Sequence, residues 1–353
     1  MAIPFNREKE LADAGFYPAI PGAYNIPSFP TRRFGTPITP KENVFRILRG
    51  EKPEWLPNLS TDFNFIQPAV MPDAYARNNG GFDWFGIEWQ YDPANAAAMV
   101  KPGTRRLSEV KNWKEELVFP DLSAIDWQKD YDENYKGLLA PERATCFAIV
   151  NGYLERLADL SGYENALCAY LEEPEVVAEL YDRFDEFHIA LIRIAREIYH
   201  ADIVTFHDDL GTQRSSFLSP ELCREILLPH YKKVAAAAHE LGLIINFHSC
   251  GAVSNMIDIM IDAGFDSWEG QDACNDKLAL MEKYGDRLVQ FSICIPDPST
   301  PDEELKEYLF QMVHGIGASG RYITWFADLN PARGFDSSEY LYVESRKLLG
   351  GEG

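Results

Sequence analysis

Basic residues are scarce in this chain. Its 353 residues carry 33 Lys+Arg against 55 Asp+Glu, a formal net charge of −22. Phosphate backbones and anionic membrane surfaces are bound through concentrated Lys/Arg, so neither nucleic acid nor membrane is an expected partner. A basic or neutral partner fits this surface. Long apolar runs are missing too, and nothing approaches the ~20 apolar residues of a membrane span. The opening MAIPFNREKELADAG lacks the basic-then-apolar order of a secretory signal, so a cytoplasmic protein is expected. The six cysteines (Cys146, Cys168, Cys223, Cys250, Cys274, Cys294) are scattered over the chain, which argues against a disulfide framework. Neither a Gly-x-Gly-x-x-Gly fingerprint nor a Walker loop occurs, so the dinucleotide and P-loop folds have no support.

What is present is a repeating strand–helix pattern. Its centre is residues 201–251, where the β-branched run Ile203-Val204-Thr205-Phe206 stops at His207-Asp208-Asp209. Ser219-Pro220-Glu221 then supplies an N-cap serine and a proline at the first helical position. A second apolar run, Leu243–Phe247, stops at His248-Ser249-Cys250-Gly251. Further strands are read at 55–59, 145–150, 265–268, 288–295 and 322–326, with helices between them and a tail helix at 337–349. Strands alternating with helices at ~30–40-residue spacing imply parallel βα units. The expected architecture is α/β, a (β/α)8 TIM barrel over residues 37–353; a doubly wound open sheet is the second choice. Residues 1–36, rich in Pro, Gly and aromatics, read as an arm lying on the body of the protein or on the partner subunit of a homodimer. Residues 66–130 read as a long insertion over the barrel mouth, of the kind that forms lids and binding loops.

In such a barrel function lies at the C-terminal strand ends. There, His248 and Cys250 are two residues apart and point to one side, where imidazole and thiolate are good zinc ligands. The plainer alternative is a polar strand end with a partly buried cysteine. A third ligand is sought in Cys294 or Glu269, with Cys274 a weaker choice; Cys294 within Ile-Cys-Ile also reads as core. His207, Asp208 and Asp209 are candidates for acid–base or orienting work, or Asp208 and Asp209 simply cap a turn. Glu88, in the aromatic run 85–91 with Trp89, is a candidate pocket carboxylate, its neighbouring rings either holding a flat substrate or serving as core and lid packing. Asp62, Asn64, Gln213 and Glu269 are candidate substrate contacts. Arg156 reads as a structural ion pair or an anion site.

Several stretches together resemble the uroporphyrinogen decarboxylase-like superfamily, which includes corrinoid-dependent methyltransferases. They are Pro37–Pro53, Phe217-Leu218-Ser219-Pro220-Glu221 with Arg224, Pro229 and Tyr231, and Phe247-His248-Ser249-Cys250-Gly251. The resemblance covers roughly residues 37–330 and implies a (β/α)8 barrel. The paired-arginine signature of true decarboxylases is lacking, and the −22 charge ill suits a substrate with many carboxylates. The methyltransferase branch fits better. It implies zinc on His248 and Cys250, and a methyl group moved between a small methylated or methoxylated substrate and a corrinoid carried by a partner protein. After the last strand, where thiol-methylating members have a further zinc cysteine, this chain reads Thr324-Trp325-Phe326-Ala327-Asp328. That departure argues against thiol methylation and leaves O-demethylation or transfer to tetrahydrofolate. The rival expectation is a metal-free carbon–carbon lyase.

Overall fold

The computed structural model describes residues 3–21, 29–68, 70–93, 97–271 and 273–350. Seven strands form one parallel sheet: β1 (Phe63–Ile66), β2 (Ala144–Ile149), β3 (Ile203–His207), β4 (Ile244–His248), β5 (Ser267–Gly270), β6 (Val289–Cys294) and β7 (Tyr322–Phe326). Each pairs with its neighbour in sequence order, from β1 at one edge to β7 at the other. The sheet curls far enough for side chains from its two ends to touch. The ring of Phe63 on β1 lies 6.1 Å from that of Phe291 on β6, and Phe65 lies 5.6 Å from Trp325 on β7.

The expected first strand at 55–59 is reduced to one parallel bridge, Asn58 to Thr324. Pro57 accepts from Thr324 N at 2.9 Å but has no N–H to return. Asn58 gives its own N–H to Asp62 (2.8 Å) and caps Ser60 N (3.1 Å), so the chain turns into the short helix Leu59–Asp62 instead of extending. A seam therefore runs between β1 and β7.

One end of the curled sheet is plugged. Thr39 caps the helix Pro40–Leu48 by accepting from Glu42 N, and Val44 and Ile47 enter the same apolar cluster as Phe63, Ala144, Ile203, Phe291 and Ile323. This helix is pinned to the segments that precede β3 and β7 by Lys41–Asp202 (2.7 Å) and Arg321 Nη1 to Ile47 O (2.6 Å). Chemistry is thereby left to the opposite end, where the strands finish. The arm lies on its own chain: Arg346 of the C-terminal helix Ser337–Gly350 binds Glu10 (2.8 Å), and Tyr342 donates to Glu10 at 2.5 Å.

The insertion is more regular than its sequence suggests. It contains the helix Pro72–Asn79 and a three-stranded antiparallel sheet of Gly81–Phe82, Glu88–Asp92 and Ala97–Val100. Among the described residues no helix is long and apolar enough to cross a membrane.

The helix Pro174–Glu197 buries His188 against Phe206 and Tyr153, with ring centroids 5.0 and 5.1 Å away. Burial, aided by Arg156, pushes this imidazole down to about 3. In the unfolded chain it titrates near 6.5, so the unfolded state binds the extra proton between those values. His188 therefore contributes stability that is full above pH 6.5 and falls by about 1.4 kcal/mol per unit as pH drops towards 3. Urea unfolding at pH 7 and pH 5 should show this loss, and His188→Gln should lessen it; an equal loss in both proteins removes His188 as its source.

Candidate active site at the strand ends

Two strand-end loops are fastened to each other before any side chain takes a role. Asp208 N donates to His248 O (3.0 Å) and Ala252 N to Thr212 O (2.7 Å), while Leu210 N donates to the Ser249 hydroxyl (2.9 Å). Gly251, at φ +90, sits so close to Gly211 that a Cβ would fall 2.3 Å from its carbonyl carbon. Only glycine combines that φ with that approach.

This fastening assembles a cluster. Asp209 Oδ1 accepts from Cys250 N at 2.6 Å and lies 3.3 Å from His207 Nε2 and 3.9 Å from His248 Nε2. The two imidazoles are 4.3 Å apart. His248 Nδ1 is held by Glu269 at 2.6 Å, which leaves Nε2 facing Cys250 Sγ at 3.5 Å. His207 Nδ1 lies 3.2 Å from Glu155, and Glu155 in turn pairs with Arg77 at 3.2 Å. A line of alternating charge thus crosses the mouth from Arg77 of the insertion to Glu269 on β5.

The electrostatics follow from that alternation. Burial alone would lower both histidines; for His207 the carboxylates of Glu155 and Asp209 win and raise it. His248 is pushed up to about 9, burial and His207 being outweighed by Glu269 and Cys250. Burial would raise Asp209, but His207 and His248 hold it well below the usual carboxylate range. Burial pushes the Cys250 thiol up. His207, Asp209 and His248 each offer a ligand atom within 4.8 Å of the others, a donor set able to hold a metal ion. A second such group, Asp182, Asp185 and His230, already has a cation: Lys233 Nζ lies 2.6 and 2.7 Å from its carboxylates.

Several residues singled out in the sequence stand elsewhere. Cys294 is not brought to the cluster; it packs on the outer side of the sheet with Met281, Leu305 and Leu309, on the strand face opposite inward-pointing Phe291. Asp208 is a helix cap. Its carboxylate accepts from Tyr153 N (3.0 Å), Leu154 N (3.2 Å), Glu155 N (2.9 Å) and the Tyr231 hydroxyl (2.6 Å). Burial and Glu155 push it up to about 7. Gly152 permits the approach, since a Cβ there would meet Asp208 Cβ at 2.5 Å. Glu88 pairs with Lys101 (2.7 Å) within the inserted sheet, and Trp89 donates to Asp83 (3.2 Å). Asp62 accepts from Asn58 N and from Trp55 Nε1 (3.2 Å), and Asn64 ties Ala140 O (2.9 Å) to Thr145 (3.1 Å). Glu269 is fully buried, and its carboxylate holds His248 Nδ1. Gln213 stays at the mouth, bonded to Gln271 (3.3 Å), whose oxygen also accepts from Gly251 N (3.2 Å).

Glu155 and Arg77 were missed. Glu155 sits in the first turn of the helix that follows β2, a rim position by fold logic alone. Arg77 carries no local signal; it also reaches Asn151, and its guanidinium lies over Trp89 at 5.5 Å.

The uroporphyrinogen decarboxylase (URO-D) family profile matches residues 140–325, from just before β2 into β7. The chain belongs to that family. Its fold is similar to that of a methyltransferase from Methanosarcina mazei at 16% identity, with a TM-score of 0.65 over 88% of this chain and 98% of that one. A sugar phosphate isomerase/epimerase from Parabacteroides distasonis (9% identity, TM-score 0.35, 65% and 81% covered) is far less alike. So is 3-keto-D-glucoside 4-epimerase from E. coli (12% identity, TM-score 0.34, 67% and 83% covered). Comparison with curated proteins gives no match.

Proposed function

We propose that this protein is a zinc-dependent methyltransferase that moves a methyl group between a small methylated or methoxylated compound and the corrinoid of a separate carrier protein. The observation that carries the reading is the donor group of His207, Asp209 and His248 at the mouth, with Cys250 Sγ 3.5 Å from His248 Nε2 and His248 Nδ1 tied to Glu269. Zinc–sulfur and zinc–nitrogen bonds of ~2.3 and ~2.0 Å at a tetrahedral angle separate those two atoms by about 3.5 Å. Cys250 Sγ and His248 Nε2 are 3.5 Å apart, so the donor pair fits the ion without rearrangement. His207 and Asp209 supply further donors, and Cys294 is no longer needed.

Zinc held there supplies a Lewis acid that polarises the substrate oxygen from which the methyl group departs. The chain's own residues do the remainder. Glu269 fixes the His248 tautomer and ring plane, the usual service of a carboxylate behind a metal-binding histidine. Asp209 holds the Cys250 backbone and lies between the two imidazoles. Glu155, 3.2 Å from His207 Nδ1, orients that ring so that Nε2 faces Asp209, as Glu269 does for His248. Gln213 stands beside the cluster, tied through Gln271 to Gly251 N. The acidic surface favours a carrier whose docking face is basic or neutral, and a cytoplasmic setting is part of the same reading.

Two measurements test it. Protein prepared anaerobically should contain one zinc per chain, lost in the His248→Ala, Cys250→Ala double variant. Mixed with reduced cob(I)alamin carrier and methoxylated donors, the protein should generate the methylcobalamin spectrum. Metal-free protein that still transfers methyl groups, or silence with every donor alongside carbon dioxide release from a tetrapyrrole acid, sinks the proposal.

A further inference from the structure

A cavity of about 350 Å³ lies at the seam between β1 and β7, and none of His207, Asp209, His248 or Cys250 lines it. Its inner wall is aromatic, formed by Phe63, Phe65 and Trp325, and the arm contributes Phe16 and Phe29. That volume is at the small end of ligand sites, suited to a single ring rather than a macrocycle.

The charged groups on the wall do not balance. Asp328 is neutralised by Arg333 (2.7 Å), and Asp336 by Arg32 (3.1 Å). Arg143 remains. The residue is 4% exposed, yet no carboxylate among the described residues comes within 4.0 Å of it. Its neighbours are committed elsewhere: Glu142 to Arg33 (2.7 Å), and Asp62 to Asn58 N (2.8 Å) and Trp55 (3.2 Å). Among the described residues the guanidinium has one hydrogen bond, from Nη2 to Ser60 O (3.1 Å), and its Nε has no acceptor; it lies 4.7 Å over the Tyr17 ring. Residues 22–28, Gly-Ala-Tyr-Asn-Ile-Pro-Ser, contain no carboxylate to supply. Burial, the largest influence, pushes Arg143 down to about 10. Buried charges in folded proteins are paired, and a planar guanidinium is matched by a carboxylate.

We propose that the seam cavity is a binding site for a small aromatic carboxylate, its charged end on Arg143 and its ring against Phe63, Phe65 and Trp325. This does not rest on the methyl-transfer reading.

Benzoate and benzamide share size and ring but differ in charge, so calorimetric titration of each into the full chain is the test. Benzoate is expected to bind at least about tenfold more tightly, the equivalent of ~1.4 kcal/mol. Arg143→Met should bring benzoate to the level of benzamide, and Arg143→Lys should recover part of the difference. Cys250→Ala should leave benzoate affinity unchanged. Equal affinities for the two probes on the unaltered protein overturn the proposal without recourse to any variant. So does loss of benzoate binding in Cys250→Ala, which would put the ligand at the strand-end cluster.

Discussion

Exchanging Arg156 for methionine is expected to cost the folded state about 3–5 kcal/mol, the penalty for stranding a buried partner charge. Arg156 has no exposed side-chain area to speak of, and it binds two carboxylates from the insertion, Asp73 and Asp83, the latter at 2.9 Å. Its guanidinium also lies 4.7 Å over Phe85. Asp83 further organises the insertion by accepting from Phe85 N and Ile87 N, each at 2.9 Å. Methionine keeps much of the packing and removes the charge. Even with Arg156 present, burial pushes Asp73 up to about 6; without it the folded-state pKa rises further. A carboxyl whose folded pKa exceeds its unfolded value near 3.9 imposes a cost that is absent at low pH and grows as pH rises through the folded pKa. The difference between variant and parent should therefore be largest near pH 8 and shrink towards pH 4–5. Urea unfolding of both proteins across that range measures it, and a small or pH-independent difference contradicts the assignment.

The neighbouring aspartates should divide by role. Asp208→Ala deprives three backbone N–H groups and the Tyr231 hydroxyl of their acceptor in a dry interior, an expected loss of about 3–5 kcal/mol. Asp209→Ala removes the bond to Cys250 N and the carboxylate facing His207 and His248, but both imidazoles can shed their protons, so it should cost less, about 1–3 kcal/mol. On the proposed function the effect on methyl transfer runs the other way: on the order of 100-fold is expected from Asp209→Ala, the scale for residues that tune a metal site. Denaturation midpoints together with single-turnover transfer rates read both effects. Should Asp209→Ala transfer at the parent rate, the aspartate has no part in the chemistry.

Much of this molecule is visible in its sequence because its governing interactions are local. β-branched runs bounded by turns give six of the seven strands within about two residues, and Thr39-Pro40 and Ser219-Pro220 mark helix starts by capping chemistry. His248, Cys250 and Asp209 are legible because strand ends carry function in this architecture. The failures share a cause in long-range partners. Asp208 looks like a rim carboxylate until the helix it caps, 53 to 55 residues earlier, is folded against it. Cys294 shares a face of β6 with Gln290 and Ser292, whose polarity suggests the mouth, yet it is the apolar face of Val289, Phe291 and Ile293 that turns inward. Trp55–Leu59 has strand composition, but the bonds that divert Asn58 into a helical turn come from Asp62 and Phe326.

The contact between Gly211 and Gly251 has a mechanical consequence. With backbone lying on backbone, the loops after β3 and β4 have no side-chain cushion to compress, so they form one stiff jaw. The insertion reaches that jaw through Arg77, which meets Glu155, and is riveted to the same helix by Arg156, so two arginines on two elements fix where it stands against a wall that does not yield.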